Sequence, residues 1–255
     1  MNFTEDLKMV YEKAIRDSIS KITKNPLILI MPLIYSIIYK FVMMAFNITL
    51  APVLGFASGF ILPIISSLIL SSYYSQLSDV IFYNRLNFNN FKNSFKDYFA
   101  SIYSVYFILI LISWITPALS KMMSILIVIN FILIIVLNPI AESIYIRGEY
   151  YTSAYSHCVE FMKENFLLWI IPFIIYLILL RILGLSIENY ILTSNIIDTP
   201  LGLNTESLVV LGFDIQNLKQ LLIIVLTGVY AIFRGCLYKI LHNSTRRKRA
   251  YMGEI

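Results

Sequence analysis

Six stretches of about twenty mostly apolar residues run through this chain, and no other feature limits its fold so tightly. They cover residues 26–47, 51–74, 101–120, 122–146, 166–186 and 218–241. Roughly 20 such residues make a helix that crosses the ~30 Å hydrocarbon core, and inside lipid the backbone must bond to itself. The sequence therefore predicts an all-α fold, a six-helix transmembrane bundle in a single integral membrane domain. Composition agrees. Of the 255 residues 58% are hydrophobic and 14% charged, against about a quarter charged in soluble domains. The joins around 48–50 and at Lys121 are short, so the first two pairs of spans are expected to be tight hairpins.

Basic residues set the orientation. Lys8, Lys13, Arg16, Lys21 and Lys24 precede the first span, and Arg85, Lys92, Lys96, Arg147 and Lys163 fall on the same side. So do Arg246, Arg247, Lys248 and Arg249 in the tail, whereas the opposite side has Lys121, Lys219 and a loop acidic at Glu188, Asp198, Glu206 and Asp214. An excess of Lys and Arg marks the cytoplasmic face, so both termini are expected there, in a cytoplasmic (inner) membrane. The same argument absorbs the net charge of +5 and leaves no reason to expect a nucleic-acid partner. Glu5, Asp6, Glu12 and Asp17 before the first apolar run speak against a cleavable leader. Cys158 and Cys236 are too few for a disulfide scaffold and lie in no metal-ligand spacing.

Amphipathic stretches separate the spans. Phe3, Leu7, Val10, Ala14 and Ile22 form one stripe, opposed by Glu12–Arg16 and Asp17–Lys21 pairs at i,i+4. Phe88, Phe91, Phe95 and Tyr98 form a second, and Ala154, Cys158, Phe161 and Met162 a third. Each is expected to lie at the cytoplasmic surface as an interfacial helix, or to bind a partner. The segment Asn25-Pro-Leu-Ile-Leu-Ile-Met-Pro32 matches Asn165-Phe-Leu-Leu-Trp-Ile-Ile-Pro172 without a gap, and Ser78-Asp79-Val-Ile81-Phe82 echoes Ala141-Glu142-Ser-Ile144-Tyr145. The chain thus reads as three units of an interfacial helix plus a hairpin, over about 3–75, 79–146 and 150–241, with a basic tail at 242–255.

Span two carries small residues every fourth position: Ala51, Gly55, Gly59, Pro63, Ser67, Ser71 and Ser75. Such a ridge lets helix backbones approach closely; alternatively, its serine end lines a crevice open to the cytoplasm. Charged residues within spans are candidates for a polar membrane site. Lys40 and Arg181 stand at similar depth near the outer ends of spans one and five, where they can snorkel. Arg234 in the inner half of span six can snorkel inward, or pair with Glu142 or Asp79. Tyr73, Tyr74, Tyr145 and Trp169 fit an interfacial aromatic belt. Pro32, Pro63, Pro139 and Pro172 lie within spans and are expected to bend them.

No catalytic signature accompanies these charges. His157 and His242 are the only histidines, expected outside the hydrocarbon core, and no H-E-x-x-H, G-x-S-x-G, phosphate-binding loop or paired intramembrane aspartates occur. No enzyme activity, cofactor or metal is expected. The Lys24-Asn25-Pro26 entry to a proline-bearing span, the Ile146-Arg147-Gly148 turn and Leu237-Tyr238 before the basic tail together resemble a group of bacterial polytopic proteins. That group includes the membrane domain attached to some glycerophosphodiester phosphodiesterases. The resemblance implies fold and location only, since no phosphodiesterase domain is present. Two functions fit the sequence: a non-catalytic membrane component binding lipids or a partner protein, and a small transporter or permease subunit with a site between the repeats.

Overall fold

The computed structural model describes residues 3–88, 91–115, 131–185 and 215–244. In chain order the helices are α1 (Phe3–Lys24), α2 (Met31–Thr49), α3 (Ala51–Leu54), α4 (Ser58–Tyr83), α5 (Phe91–Asp97), α6 (Phe99–Ile115), α7 (Ile140–Tyr145), α8 (Tyr151–Ile182) and α9 (Ile215–Asn243). Short 3-10 turns at Pro26–Leu29 and Gly55–Ala57 interrupt the series, and no strand occurs among the described residues. Four helices are long and apolar enough to cross a membrane: α2, α4, α8 and the Leu218–Asn243 part of α9. This fits an integral membrane protein. Shorter apolar helices cover Phe99–Leu109 and Phe131–Tyr145. The turn expected at Lys121, the acidic loop and the four-residue basic cluster of the tail lie outside the described residues.

Span two departs from expectation at both ends. The helix does not run on from Ala51, because Gly55 takes φ +51°, a left-handed value that glycine adopts without a Cβ clash. At the other end α4 continues past residue 74 to Tyr83, since Ser75, Gln76 and Ser78 are buried against protein and not stranded in lipid. Asn84 then closes it in the left-handed conformation, φ 58° and ψ 34°. The place where α1 finishes, α4 closes on Asn84 and α9 reaches Asn243 is the base of the bundle.

Asn25 and Asn165, matched in sequence, both sit at breaks in helical geometry. Asn25 has φ −134° and ψ 66°, and Asn165 has φ −123° and ψ 15°. Each donates its side-chain amide to the carbonyl four residues back, Lys21 O and Phe161 O, at 3.3 Å in both cases. Beyond the two asparagines the chain paths diverge for a covalent reason. Pro26 lacks an N–H and disfavours helical geometry in the residue before it, so α1 stops and a 3-10 turn intervenes before α2. Phe166 keeps its N–H, so α8 resumes after a kink as one helix of 32 residues. Asn25 also holds the base together, donating to Asn84 O (3.1 Å) and accepting from Leu86 N (3.2 Å).

The first and third amphipathic stripes pack in large part on protein, whereas in the second Phe88 is exposed and Phe91, Phe95 and Tyr98 are half-buried. Val10, Ala14 and Ser18 of α1 are buried along α9, and Tyr11 Oη donates to Leu168 O at 2.9 Å. Helix α5 is stitched to α4 by serines: Ser71 Oγ donates to Ser94 O (2.9 Å), and Ser72 and Ser94 hydroxyls bond at 2.7 Å. Tyr35 of α2 joins the same chain through Ser72 (2.8 Å). Polar groups that bond across helices favour this burial over exposure to hydrocarbon. On α1 the ion pair formed among the described residues is Lys8–Glu12 at 3.8 Å, not Glu12–Arg16 or Asp17–Lys21.

Aromatic placement is also corrected. Tyr73, Tyr74, Tyr145 and Trp169 are buried in the core, not ranged at a belt, with Tyr74 and Tyr145 stacked at 5.1 Å between ring centroids. The small-residue ridge differs between its two halves. Pro63, Ser67 and Ser71 are buried, whereas Gly55 and Gly59 have nothing within 4 Å of where a Cβ would stand, and Ala51 is half-buried. Close approach occurs instead on α9. A Cβ on Gly228 would stand 2.9 Å from the Leu29 backbone, and one on Gly235 would clash with Ile81 Cδ1.

Candidate functional site

Two groups of charged side chains meet near the base, and α9 contributes to both. The first is the pair Arg234–Glu142. Glu142 lies on α7, and its Oε2 is 2.7 Å from Arg234 Nη2, with both side chains almost fully buried. The same guanidinium nitrogen donates to the Asn138 carbonyl, presented by the turn that precedes α7. The Trp169 and Tyr230 rings flank the guanidinium at 5.2 and 5.5 Å. Trp169 Nε1 in turn donates to Asn138 Oδ1 at 2.8 Å. A cation, its carboxylate, a carbonyl and two aromatic faces form a unit whose charge is neutralised within the protein. Burying such a pair is costly unless hydrogen bonds support it; here Nη2 is bonded twice, to Glu142 and Asn138, while Arg234 Nε is buried without a hydrogen-bond partner among the described residues.

Of the polar membrane residues picked out in the sequence, the structure brings together Arg234 and Glu142. Asp79 is half-buried and lines a separate cavity, Lys40 is half-buried on α2, and Arg181 is exposed in the last turn of α8. His157 is buried within the protein, with Nδ1 3.2 Å from Tyr238 Oη and its ring beside that of His242.

The second group surrounds a cavity of about 360 Å³ at the base, between α1, the end of α4 and the end of α9. Lys13, Asp17, Ser20 and Lys21 line it from α1, Asn84 from the α4 cap, and Cys236, Lys239, Ile240 and Asn243 from α9. The register explains the convergence: Lys13, Asp17 and Lys21 recur at i,i+4,i+8 on one face. Three ammonium groups thus meet one carboxylate. Among the described residues, Asp17 lies within ion-pair distance of none of them. Lys21 Nζ donates to the Val80 carbonyl at 3.3 Å, and Lys239 Nζ sits 4.7 Å above the Phe82 ring. Burial, reinforced by Lys239 and Lys24, holds Lys21 below the usual lysine pKa, though Asp17 pulls the other way.

A second cavity of about 520 Å³ opens on the other side of the α4 end, lined by Ser75, Asp79, Asp97, Tyr98 and Arg147 among others. Its groups are largely satisfied within the protein. Ser75 Oγ donates to Asp97 Oδ2 at 2.6 Å, Tyr98 Oη to Tyr145 O at 3.1 Å, and Arg147 pairs with Glu149 at 2.7 Å. Of the serines expected to line a crevice, Ser75 is the one that reaches this cavity.

No family model, curated protein or solved structure matches the chain, so function is argued from the geometry. Among the described residues there is no cluster of three or more side chains that could hold a metal ion. Sequence reasoning used Lys13 and Lys21 for topology and missed them as a site, and it overlooked Lys239. The i,i+4,i+8 register on α1 was the available signal. Which side of α9 meets that face was not.

Proposed function

We propose that the protein is a non-catalytic polytopic membrane component, spanning the bilayer six times with both termini in the cytoplasm, whose base binds the anionic headgroups of membrane lipids. The basic cavity carries this reading. Three lysines converge on it from two helices, and their one carboxylate neighbour leaves them under-neutralised. Basic pockets between transmembrane helices on the cytoplasmic side suit anionic headgroups, and the cavity lies at the end that the positive-inside bias assigns to the cytoplasm. The bonds shared by Asn25 and Asn165 support the repeat reading of units one and three.

Binding is favoured over transport because the interior Arg234 is already paired with Glu142 inside the protein, whereas the lysines at the base are not paired among the described residues. The test is purification in mild detergent followed by identification of the retained lipid. Anionic phospholipid is expected to remain bound and to be lost from K13Q/K239Q. Retention of zwitterionic lipid alone, or of a stoichiometric protein partner without lipid, would contradict the reading.

A further inference from the structure

We infer that the cavity between α1 and α9 recognises a phosphomonoester dianion in preference to a phosphodiester. This rests on the anionic-ligand reading above and narrows it to one chemistry. The first argument is charge. Lys13, Lys21 and Lys239 face Asp17, so the group carries two positive charges more than it can neutralise itself. A phosphomonoester carries about −1.5 to −2 near neutral pH, with a second pKa of about 6. A diester carries a single charge and leaves one ammonium uncompensated.

The second argument is donor geometry. A monoester presents three terminal oxygens and a diester two. Lysines line the cavity from two helices, Lys13 and Lys21 on α1 and Lys239 on α9, together with Ser20, Asn84 and Asn243. Each ammonium has three donors and no acceptor, which suits an acceptor-only ligand. Lys21 is committed to Val80 O through one donor and Lys239 is steadied over Phe82, so neither needs to be ordered wholly at the moment of binding. The third is desolvation. Lys21 is partly withdrawn from water, and an anion beside it offsets that cost, a dianion more than a monoanion at the same distance.

The same chemistry occurs in a lipid with a bare phosphate headgroup and in soluble phosphomonoesters, so the experiment has an arm for each. Full-length protein in nanodiscs is titrated with phosphatidic acid or phosphatidylglycerol in a phosphatidylcholine background, and separately with glycerol 3-phosphate in the aqueous phase. Doubling the ligand charge a few ångströms from two partly exposed ammoniums is worth about tenfold in affinity. Phosphatidic acid is therefore expected to bind about that much more tightly than phosphatidylglycerol. In K13Q/K239Q the preference is expected to vanish.

D17N works in the opposite direction and guards against loss of binding through misfolding: it is expected to tighten phosphatidic acid binding several-fold. Equal, lysine-dependent binding of both lipids would overturn the monoester preference and leave the lipid reading standing. Failure of either lipid to bind, with glycerol 3-phosphate binding through the same lysines, would keep the chemistry and overturn the lipid source. Binding of none of the three would overturn both, as would affinities unchanged in both K13Q/K239Q and D17N.

Discussion

Arg234 and Lys239 stand five residues apart on α9 and show two ways of holding a cation. Arg234 is surrounded by groups of its own chain: the Glu142 carboxylate, the Asn138 carbonyl and two aromatic faces. Lys239 has one ring beneath it, a cavity in front and two further lysines across that cavity. The difference tracks burial, Arg234 being almost fully buried and Lys239 half-buried. Where water cannot reach, the chain supplies the counter-charge itself, because an unpaired buried charge is prohibitively costly. At the base an external anion has access, and the chain leaves the charge unbalanced. A closed group of charges suits a structural device, whereas an open one has the charge that a site for an anion requires.

The largest expected effect breaks the closed group. In R234M the Glu142 carboxylate stays buried without its cation, and breaking such a pair costs about 3–5 kcal/mol. E142Q is expected to lose less, because its amide still accepts a hydrogen bond from the guanidinium. The double variant R234M/E142Q is expected to be more stable than the sum of the two losses. Thermal unfolding in detergent, analysed as a double-mutant cycle, checks this. Additive losses would show that the two side chains do not act as a pair.

A smaller effect sharpens the open group. Lys21 is held below its ordinary pKa by burial first, and then by Lys239 and Lys24. Its folded value therefore lies below its unfolded one, so the unfolded chain binds more protons between the two. Stability is expected to rise as pH increases through the folded pKa toward the usual lysine value. The gain is modest because the group is partly exposed. K21Q should flatten that rise when stability is measured from neutral to alkaline pH; an undiminished rise would contradict the assignment to Lys21.

Much of the fold was legible because hydrocarbon imposes a length and a composition that sequence reports directly. Four spanning helices fall where apolar runs placed them, and Arg234 does pair with Glu142, one of the two carboxylates within its reach by sequence. What escaped legibility depended on partners. Val10 and Ala14 form an apolar stripe whether lipid or α9 covers them, and periodicity cannot say which. The glycines of span two looked like a close-packing ridge, yet Gly55 spends its freedom on a positive φ and the tight approach belongs to Gly228 and Gly235. Lys239 resembles any basic residue near a helix end until α1 brings Lys13 and Lys21 opposite it.

The most direct test of the contrast between closed and open charge groups is the thermal stability of the purified protein in mixed micelles, with anionic or zwitterionic lipid added. A ligand that binds the folded state alone stabilises it by mass action. The wild-type protein is expected to gain stability with anionic lipid and not with zwitterionic lipid. K13Q/K239Q is expected to unfold at nearly the wild-type temperature without lipid and to gain nothing when it is added. An equal gain in both proteins would contradict the assignment of the cavity as the binding site.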